Sequence, residues 1–169
     1  MNIILVGFMG TGKTAAGKRL AKRLKMGFID LDDRIEEKEG RTISRIFKEN
    51  GEAYFRRIEK EAVKGIMEIK DSVLATGGGV VMDDENMANL KKTGTVISLV
   101  ASPDVLLKRT SLETHRPLLN NAEPKKNIEE LLKRREPFYK KADYIIDTSY
   151  LSIDEVVEGI LKILKFKYE

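Results

Sequence analysis

Eight residues near the start of the chain form a loop suited to binding phosphate. Residues 7–14 read Gly-Phe-Met-Gly-Thr-Gly-Lys-Thr and match the spacing G-x-x-x-x-G-K-[ST], directly after a β-branched apolar run at 3–6. In such a loop the backbone N–H groups and the following helix N-terminus surround a phosphate. Lys13 reaches the β- and γ-phosphates and the Thr14 hydroxyl ligates Mg²⁺. We therefore predict a nucleoside-triphosphate site with contacts from Gly10, Thr11, Gly12, Lys13, Thr14 and Ala15.

Two aspartates follow the second apolar run of the sequence. Asp30 and Asp32 are two residues apart, so in an extended segment both carboxylates point to the same side, beside the phosphate loop. One could serve Mg²⁺ and the other a substrate hydroxyl. In the alternative interpretation, Asp32 or Asp33 only caps a helix that begins at Arg34.

Three consecutive glycines end the third apolar run. Gly77, Gly78 and Gly79 contribute no side chain to packing and cost conformational entropy on folding. We expect a ligand to lie against this backbone and to accept hydrogen bonds from its N–H groups. The alternative is an ordinary flexible turn.

Two pairs of adjacent arginines supply cations, but the spacing does not choose within either pair. Arg56 and Arg57 flank the apolar stripe of a predicted helix, and Arg134 and Arg135 come shortly before Pro137. Any of the four could overhang a cleft. Each could equally form a surface salt bridge, which contributes little to stability.

Strand and helix signals alternate along the chain, which predicts a parallel sheet covered by helices on both faces. The predicted strands are 3–7, 27–31, 72–76, 95–100 and 144–147. No linker or repeat divides the 169 residues, so we predict a single domain. The polar, proline-containing stretch 110–124 departs from the alternation and is predicted to be a mobile excursion.

Composition narrows the class of protein. The chain has no cysteine, which excludes disulfides and thiolate metal sites, and its net charge is +4. Its basic residues are interleaved with glutamates, without a basic stripe or stacking aromatics, so we expect a charged surface and no nucleic-acid partner. No apolar run approaches the roughly 18 residues that span a membrane. We therefore expect a cytoplasmic protein.

Taken together, these segments resemble the bacterial shikimate kinases. The resemblance covers almost the whole chain, in order and spacing. The matching segments are Gly7-x-x-Gly10-x-Gly12-Lys13-Thr14, Asp30-x-Asp32, Gly51-Glu52-x-x-Phe55-Arg56, Gly77-Gly78-Gly79, Arg116-Pro117-Leu118-Leu119 and Arg135-x-Pro137-x-Tyr139.

The resemblance implies both a fold and an activity. The fold is the three-layer α/β/α P-loop fold of the nucleoside-monophosphate-kinase type, with strand order 2-3-1-4-5 and a mobile lid at about 110–124. The implied activity is transfer of the ATP γ-phosphate to the 3-hydroxyl of shikimate, a step in aromatic amino-acid biosynthesis. A monomer that uses ATP, Mg²⁺ and shikimate is expected.

On the nucleotide side, the resemblance assigns five residues. Lys13 and the loop amides hold the phosphates, Thr14 binds Mg²⁺, and Asp30 reaches the metal through water. Arg116 comes from the lid to touch the ATP phosphates and the substrate. Arg109 lies along the adenine. In the family a proline often covers the other face of the base, but residues 147–153 contain none.

On the acceptor side, the implied binding region is about 32–60 together with the three glycines and Arg135. Asp32 binds the shikimate hydroxyls and is the candidate general base, so that Lys13, Asp32 and Arg116 form the catalytic set. Arg56 and Arg135 hold the carboxylate, and Gly78 donates its N–H to the substrate.

Two alternatives remain from the sequence. Another kinase of the same fold, such as a gluconate or adenylate kinase, should lack the joint pattern of Asp32, Arg56 and the three glycines. A non-catalytic nucleotide-binding or nucleic-acid-binding module would have no phosphoryl acceptor. Its binding to polynucleotides would depend steeply on salt.

Overall fold

Five parallel strands form the centre of the molecule, in the order β2-β3-β1-β4-β5. The computed structural model describes residues 1–111 and 122–168. The strands are β1 (Asn2–Val6), β2 (Gly27–Asp30), β3 (Ser72–Ala75), β4 (Gly94–Val100) and β5 (Tyr144–Asp147). All their pairings are parallel. The predicted strands and their predicted order are therefore confirmed.

Helices cover both faces of this sheet. They are α1 (Lys13–Leu24), α2 (Leu31–Glu39), α3 (Ile43–Gly65), α4 (Asp84–Thr93), α5 (Pro103–Thr110), α6 (Pro124–Tyr139) and α7 (Ile153–Tyr168), with a 3₁₀ turn at Val80–Met82. In β1, Ile3 and Leu5 pack with α1 and α7, whereas Ile4 and Val6 pack with the other helices. Because β1 is buried on both faces, it reads as a continuous apolar run.

Two helices show local features that their residues dictate. Before α7, the Ser152 N–H donates to Glu155 Oε2 at 2.7 Å and the Glu155 N–H donates to Ser152 Oγ at 3.2 Å, which completes a capping box. The long helix α3 is interrupted at Gly51, which takes a non-helical φ of 80°.

Helix α2 corrects the interpretation of the aspartates. The Asp30 side chain caps α2, since its Oδ1 accepts the Asp32 N–H at 3.0 Å. Asp32 therefore lies in the first helical turn, and the prediction that Asp30 and Asp32 share an extended segment is wrong. The alternative named Asp32 or Asp33 as the cap, and it too is wrong, because a carboxylate two residues earlier already satisfies the helix N-terminus.

The ends of the predicted lid are helical. Thr110 is the last residue of α5 and Pro124 is the first residue of α6. Arg116 and the rest of residues 112–121 lie outside the described residues, so the lid and the role of Arg116 stay predictions. Among the described helices, none has the length and apolar character that a membrane span requires.

Candidate active site

The phosphate loop connects β1 to α1 in a conformation that requires its glycines. Gly10 and Gly12 have φ values of 83° and 92°, in the left-handed region that side chains rarely adopt. A Cβ on Gly7 would collide with the carbonyl oxygen of Leu99 on β4. The loop thus lies against the sheet and ends at the open N-terminus of α1, where its N–H groups suit an anion.

Lys13 lies inside this loop. Its side chain is largely buried, and its Nζ donates to the carbonyl oxygens of Gly7 at 2.7 Å and Phe8 at 2.9 Å. These contacts hold the ammonium group at the loop. A cation in this position is suited to neutralise phosphate charge.

Thr14 and Asp30 present neighbouring oxygen atoms beside the loop. The Thr14 hydroxyl donates to Asp30 Oδ2 at 2.8 Å, while Asp30 Oδ1 caps α2. In the described part of the chain, no group of three or more Asp, Glu, His or Cys side chains could hold a metal alone. Mg²⁺ commonly takes one or two protein oxygens and completes its shell with water and phosphate oxygens. The hydroxyl–carboxylate pair fits that coordination.

Arg109 joins the loop to the end of the sheet. Its guanidinium donates to the carbonyl oxygen of Gly10 at 3.2 Å, to Thr148 Oγ1 at 3.1 Å and to the Thr148 carbonyl oxygen at 2.8 Å. Thr148 follows β5 directly, and Ile153 begins the next helix. The Cδ1 of Ile153 would lie 3.3 Å from a Cβ on Gly12. Arg109 and Ile153 therefore both adjoin the loop.

Charged side chains lie against the glycine segment, Gly77-Gly78-Gly79. A Cβ on Gly77 would lie 2.9 Å from Asp32 Oδ1 and 3.0 Å from Glu59 Oε1. A Cβ on Gly78 would lie 3.2 Å from Nη1 of Arg135, and one on Gly79 would overlap the guanidinium of Arg56. A ligand was predicted to lie against this backbone. In the structure the protein's own charged groups lie against it, and the ligand contact stays a prediction.

The structure distinguishes the members of each arginine pair. Arg135 is 2% exposed and lies 5.6 Å from the centroid of the Phe8 ring, whereas Arg134 is exposed. Arg56 is half-buried against the glycine segment, whereas the exposed Arg57 lies 5.0 Å from the ring of Tyr54. Arg56 and Arg135 thus converge with Asp32 on one segment.

Glu59 is a site residue that the sequence interpretation missed. It is 1% exposed, and its Oε2 accepts a hydrogen bond from Nη1 of Arg56 at 2.9 Å. Burial raises the pKa of the Glu59 carboxyl, and the neighbouring Arg56 opposes that rise. The sequence did contain a signal for its role. Glu59 follows the buried Ile58 in α3 and stands three residues after Arg56, a spacing at which helical side chains can pair.

The raised pKa of Glu59 predicts how stability depends on pH. Between its unfolded and folded pKa values, the folded protein binds more protons than the unfolded chain, so stability falls as pH rises. We compare the free energy of unfolding of the wild type with that of Glu59→Gln. The difference in favour of the wild type should be largest below the ordinary glutamate pKa of 4.5 and should shrink as pH rises through the folded pKa. Urea unfolding of both proteins across this range measures the difference.

The exposed Glu61 of the same helix provides the control for this comparison. Glu61→Gln should show no comparable trend. A wild-type minus Glu59→Gln difference in unfolding free energy that is constant with pH would contradict the assignment of a raised pKa to Glu59.

Known proteins resemble this chain in sequence and in structure. The family model described as shikimate kinase matches residues 9–165. The shikimate kinase of Thermodesulfovibrio yellowstonii is 51% identical over 161 residues, which cover 95% of this chain and 93% of the relative. That of Thermoanaerobacter pseudethanolicus is 49% identical over 161 residues, with coverage of 95% and 94%. The structure of the Acinetobacter baumannii shikimate kinase in complex with shikimate aligns with a TM-score of 0.95 and 39% identity, covering 99% of this chain and 95% of that one.

Proposed function

The chain belongs to the shikimate kinase family, and from this premise we propose which residues carry the reaction. The enzyme uses ATP to phosphorylate shikimate, forming shikimate 3-phosphate in aromatic amino-acid biosynthesis. Family membership decides against the gluconate and adenylate kinases of the same fold. It also decides against a non-catalytic nucleotide-binding module.

One observation carries the proposal, namely the position of Gly78 between the phosphate loop and the charged cluster. A Cβ on Gly78 would lie 3.2 Å from Nη1 of Arg135, 3.4 Å from the backbone N of Met9 and 3.5 Å from the carbonyl oxygen of Gly7. Gly78, which has no side chain, thus lies beside both a buried arginine and the loop. An acceptor held by that arginine would be close to the phosphate that is transferred, which is the main requirement of such a reaction.

The acceptor site matches the chemistry of shikimate, which carries one carboxylate and three hydroxyls. Arg56 and Arg135 can hold the carboxylate, because a guanidinium forms paired, charge-assisted hydrogen bonds with that group. Asp32 accepts hydrogen bonds from the hydroxyls and takes the proton of the attacking one. Glu59 keeps Arg56 oriented over the glycine segment through its bond at 2.9 Å.

The donor site positions ATP and neutralises its charge. Lys13 and the loop N–H groups bind the phosphates, and Arg109 borders the adenine. Thr14 would hold Mg²⁺ directly and Asp30 through water. When bound, Mg²⁺ supplies positive charge to the phosphate oxygens. Arg116, predicted from the resemblance alone, would add a further positive charge.

We propose further that residues 1–169 work as one kinase domain whose acceptor region spans about 32–60. We propose that the enzyme acts in the cytoplasm, where ATP is available. The monomeric state is a prediction that analytical ultracentrifugation can test.

Truncation of either acceptor-site arginine tests the carboxylate assignment. A hydrogen bond to a charged group contributes about 1.5–3 kcal/mol, so Arg56→Ala and Arg135→Ala should each raise the KM for shikimate about 10- to 150-fold. The KM for ATP should change little. ADP release, coupled to an optical assay with and without shikimate, measures both constants.

The chain provides matched controls in the neighbouring exposed arginines. Arg57→Ala and Arg134→Ala remove the same charge one residue away and should leave the KM for shikimate within about twofold, as expected of surface charges. A shikimate analogue with its carboxylate reduced to an alcohol should be a poor substrate for the wild type, and Arg135→Ala should discriminate less against it. Equal turnover of shikimate and the alcohol by the wild type would rule out the assignment of Arg56 and Arg135 to the carboxylate.

A further inference from the structure

Tyr139 is a buried phenol whose hydroxyl contacts the backbone of the glycine segment. The residue is 2% exposed, and its O–H donates to the carbonyl oxygen of Gly78 at 2.5 Å. Burial raises the pKa of Tyr139 to about 12, so that the hydroxyl remains a donor at neutral pH. None of the roles proposed above uses this hydroxyl.

The glycine segment depends on contacts from outside itself for its conformation. Glycine has the widest conformational freedom of any residue, and the segment contains three in succession. Side chains that would stiffen it are excluded by the charged groups that lie against it. Its first and third carbonyls accept backbone N–H groups, from Val80 at 3.3 Å and from Met82 at 3.1 Å. The middle carbonyl, that of Gly78, accepts the bond from Tyr139.

Fixing the Gly78 carbonyl also fixes the next N–H group. The carbonyl of Gly78 and the N–H of Gly79 belong to one planar trans peptide and point in opposite directions. With its carbonyl held by Tyr139, the peptide directs the Gly79 N–H away from α6. The guanidinium of Arg56 also lies against Gly79, where a Cβ would stand.

Helix α6 carries both side chains that contact Gly78, namely Arg135 and Tyr139. Arg135 and Tyr139 are four residues apart, so they lie on the same face of the helix. We infer that Tyr139 is a positioning residue: its hydroxyl fixes the Gly78–Gly79 peptide so that the Gly79 N–H is presented to the carboxylate of shikimate between Arg56 and Arg135. This inference rests on the proposed function.

Tyr139→Phe tests the role because it removes only the hydroxyl. The Gly78 carbonyl then loses its donor and the peptide can rotate, so the KM for shikimate should rise about 5- to 20-fold. The KM for ATP should stay within about twofold, since the hydroxyl does not contact the phosphate loop. A merely structural role would lower the active fraction, and hence kcat, without a selective change in the KM for shikimate.

Tyr144→Phe is the matched control, because Tyr144 packs with the cluster on the opposite face of the sheet. Both of its KM values should stay unchanged. In the wild type, amide hydrogen exchange followed by NMR should show that shikimate slows exchange at Gly79, a measurement that does not depend on the folding of any variant.

An unchanged KM for shikimate in a folded Tyr139→Phe would overturn the positioning role. So would the absence of any effect of shikimate on exchange at Gly79 in the wild type. Either result can occur while the wild type still releases ADP on addition of shikimate, so failure of this inference is distinguishable from failure of the proposed function.

Discussion

Replacement of Lys13 by methionine is expected to lower kcat for shikimate phosphorylation by about 10²- to 10³-fold, the loss typical for removing one preorganised transition-state donor. Methionine keeps an unbranched apolar side chain in the loop but removes the ammonium group. That group lies inside the phosphate loop, held by carbonyl oxygens at 2.7 and 2.9 Å. Negative charge on the transferring phosphoryl group would then lose the cation that the loop holds.

Two measurements separate this effect from a loss of folding. Thermal unfolding of Lys13→Met should show that the variant remains folded, although two loop carbonyls lose a donor. Lys18→Met removes the same charge from an exposed position of the same helix, where Nζ lies 5.8 Å from the Phe28 ring, and should keep near wild-type turnover. Turnover by Lys13→Met close to that of the wild type would mean that the loop binds nucleotide without assisting catalysis.

Much of the fold could be predicted because its signals are local. A parallel strand buried on both faces is mostly apolar, and residues 3–6 of β1 form such a run. The phosphate loop needs glycines at fixed spacing because Gly10 and Gly12 adopt positive φ. The start of α2 at Leu31 was missed because its cap, Asp30, also belongs to the end of β2, so the same residue ends one element and begins the next.

The site was harder to predict because its decisive contacts join distant segments. Spacing alone could not choose between Arg56 and Arg57, which differ in whether the guanidinium reaches the glycine segment, a property of tertiary packing. Glu59 was overlooked because a glutamate in an amphipathic helix is ordinarily solvated. It is buried here because Arg56 and the glycine segment surround it. Its position three residues after Arg56 was a local signal, but the burial itself depends on contacts with the distant glycine segment.

Asp32 is the residue for which binding and chemistry can be separated most directly. It stands in the first turn of α2, and its Oδ1 would lie 2.9 Å from a Cβ on Gly77, so it reaches the glycine segment beside the acceptor arginines. Asn has nearly the same shape and can still bond to a hydroxyl, but it cannot accept a proton. Asp32→Asn should therefore lower kcat by about 10²- to 10⁴-fold, the range for general-base catalysis.

The KM for shikimate should change far less in this variant, because most of the acceptor contacts remain. Asp33→Asn is the matched control, since it removes an exposed carboxylate from the adjacent position of the same helical turn and should leave kcat unchanged. Steady-state kinetics with shikimate varied at saturating ATP separates the two constants. If Asp32→Asn raised only the KM, Asp32 would be a binding residue. Catalysis would then rest on positioning and on the charge supplied by Lys13 and Mg²⁺, because the attacking hydroxyl would lose its proton without help from this carboxylate.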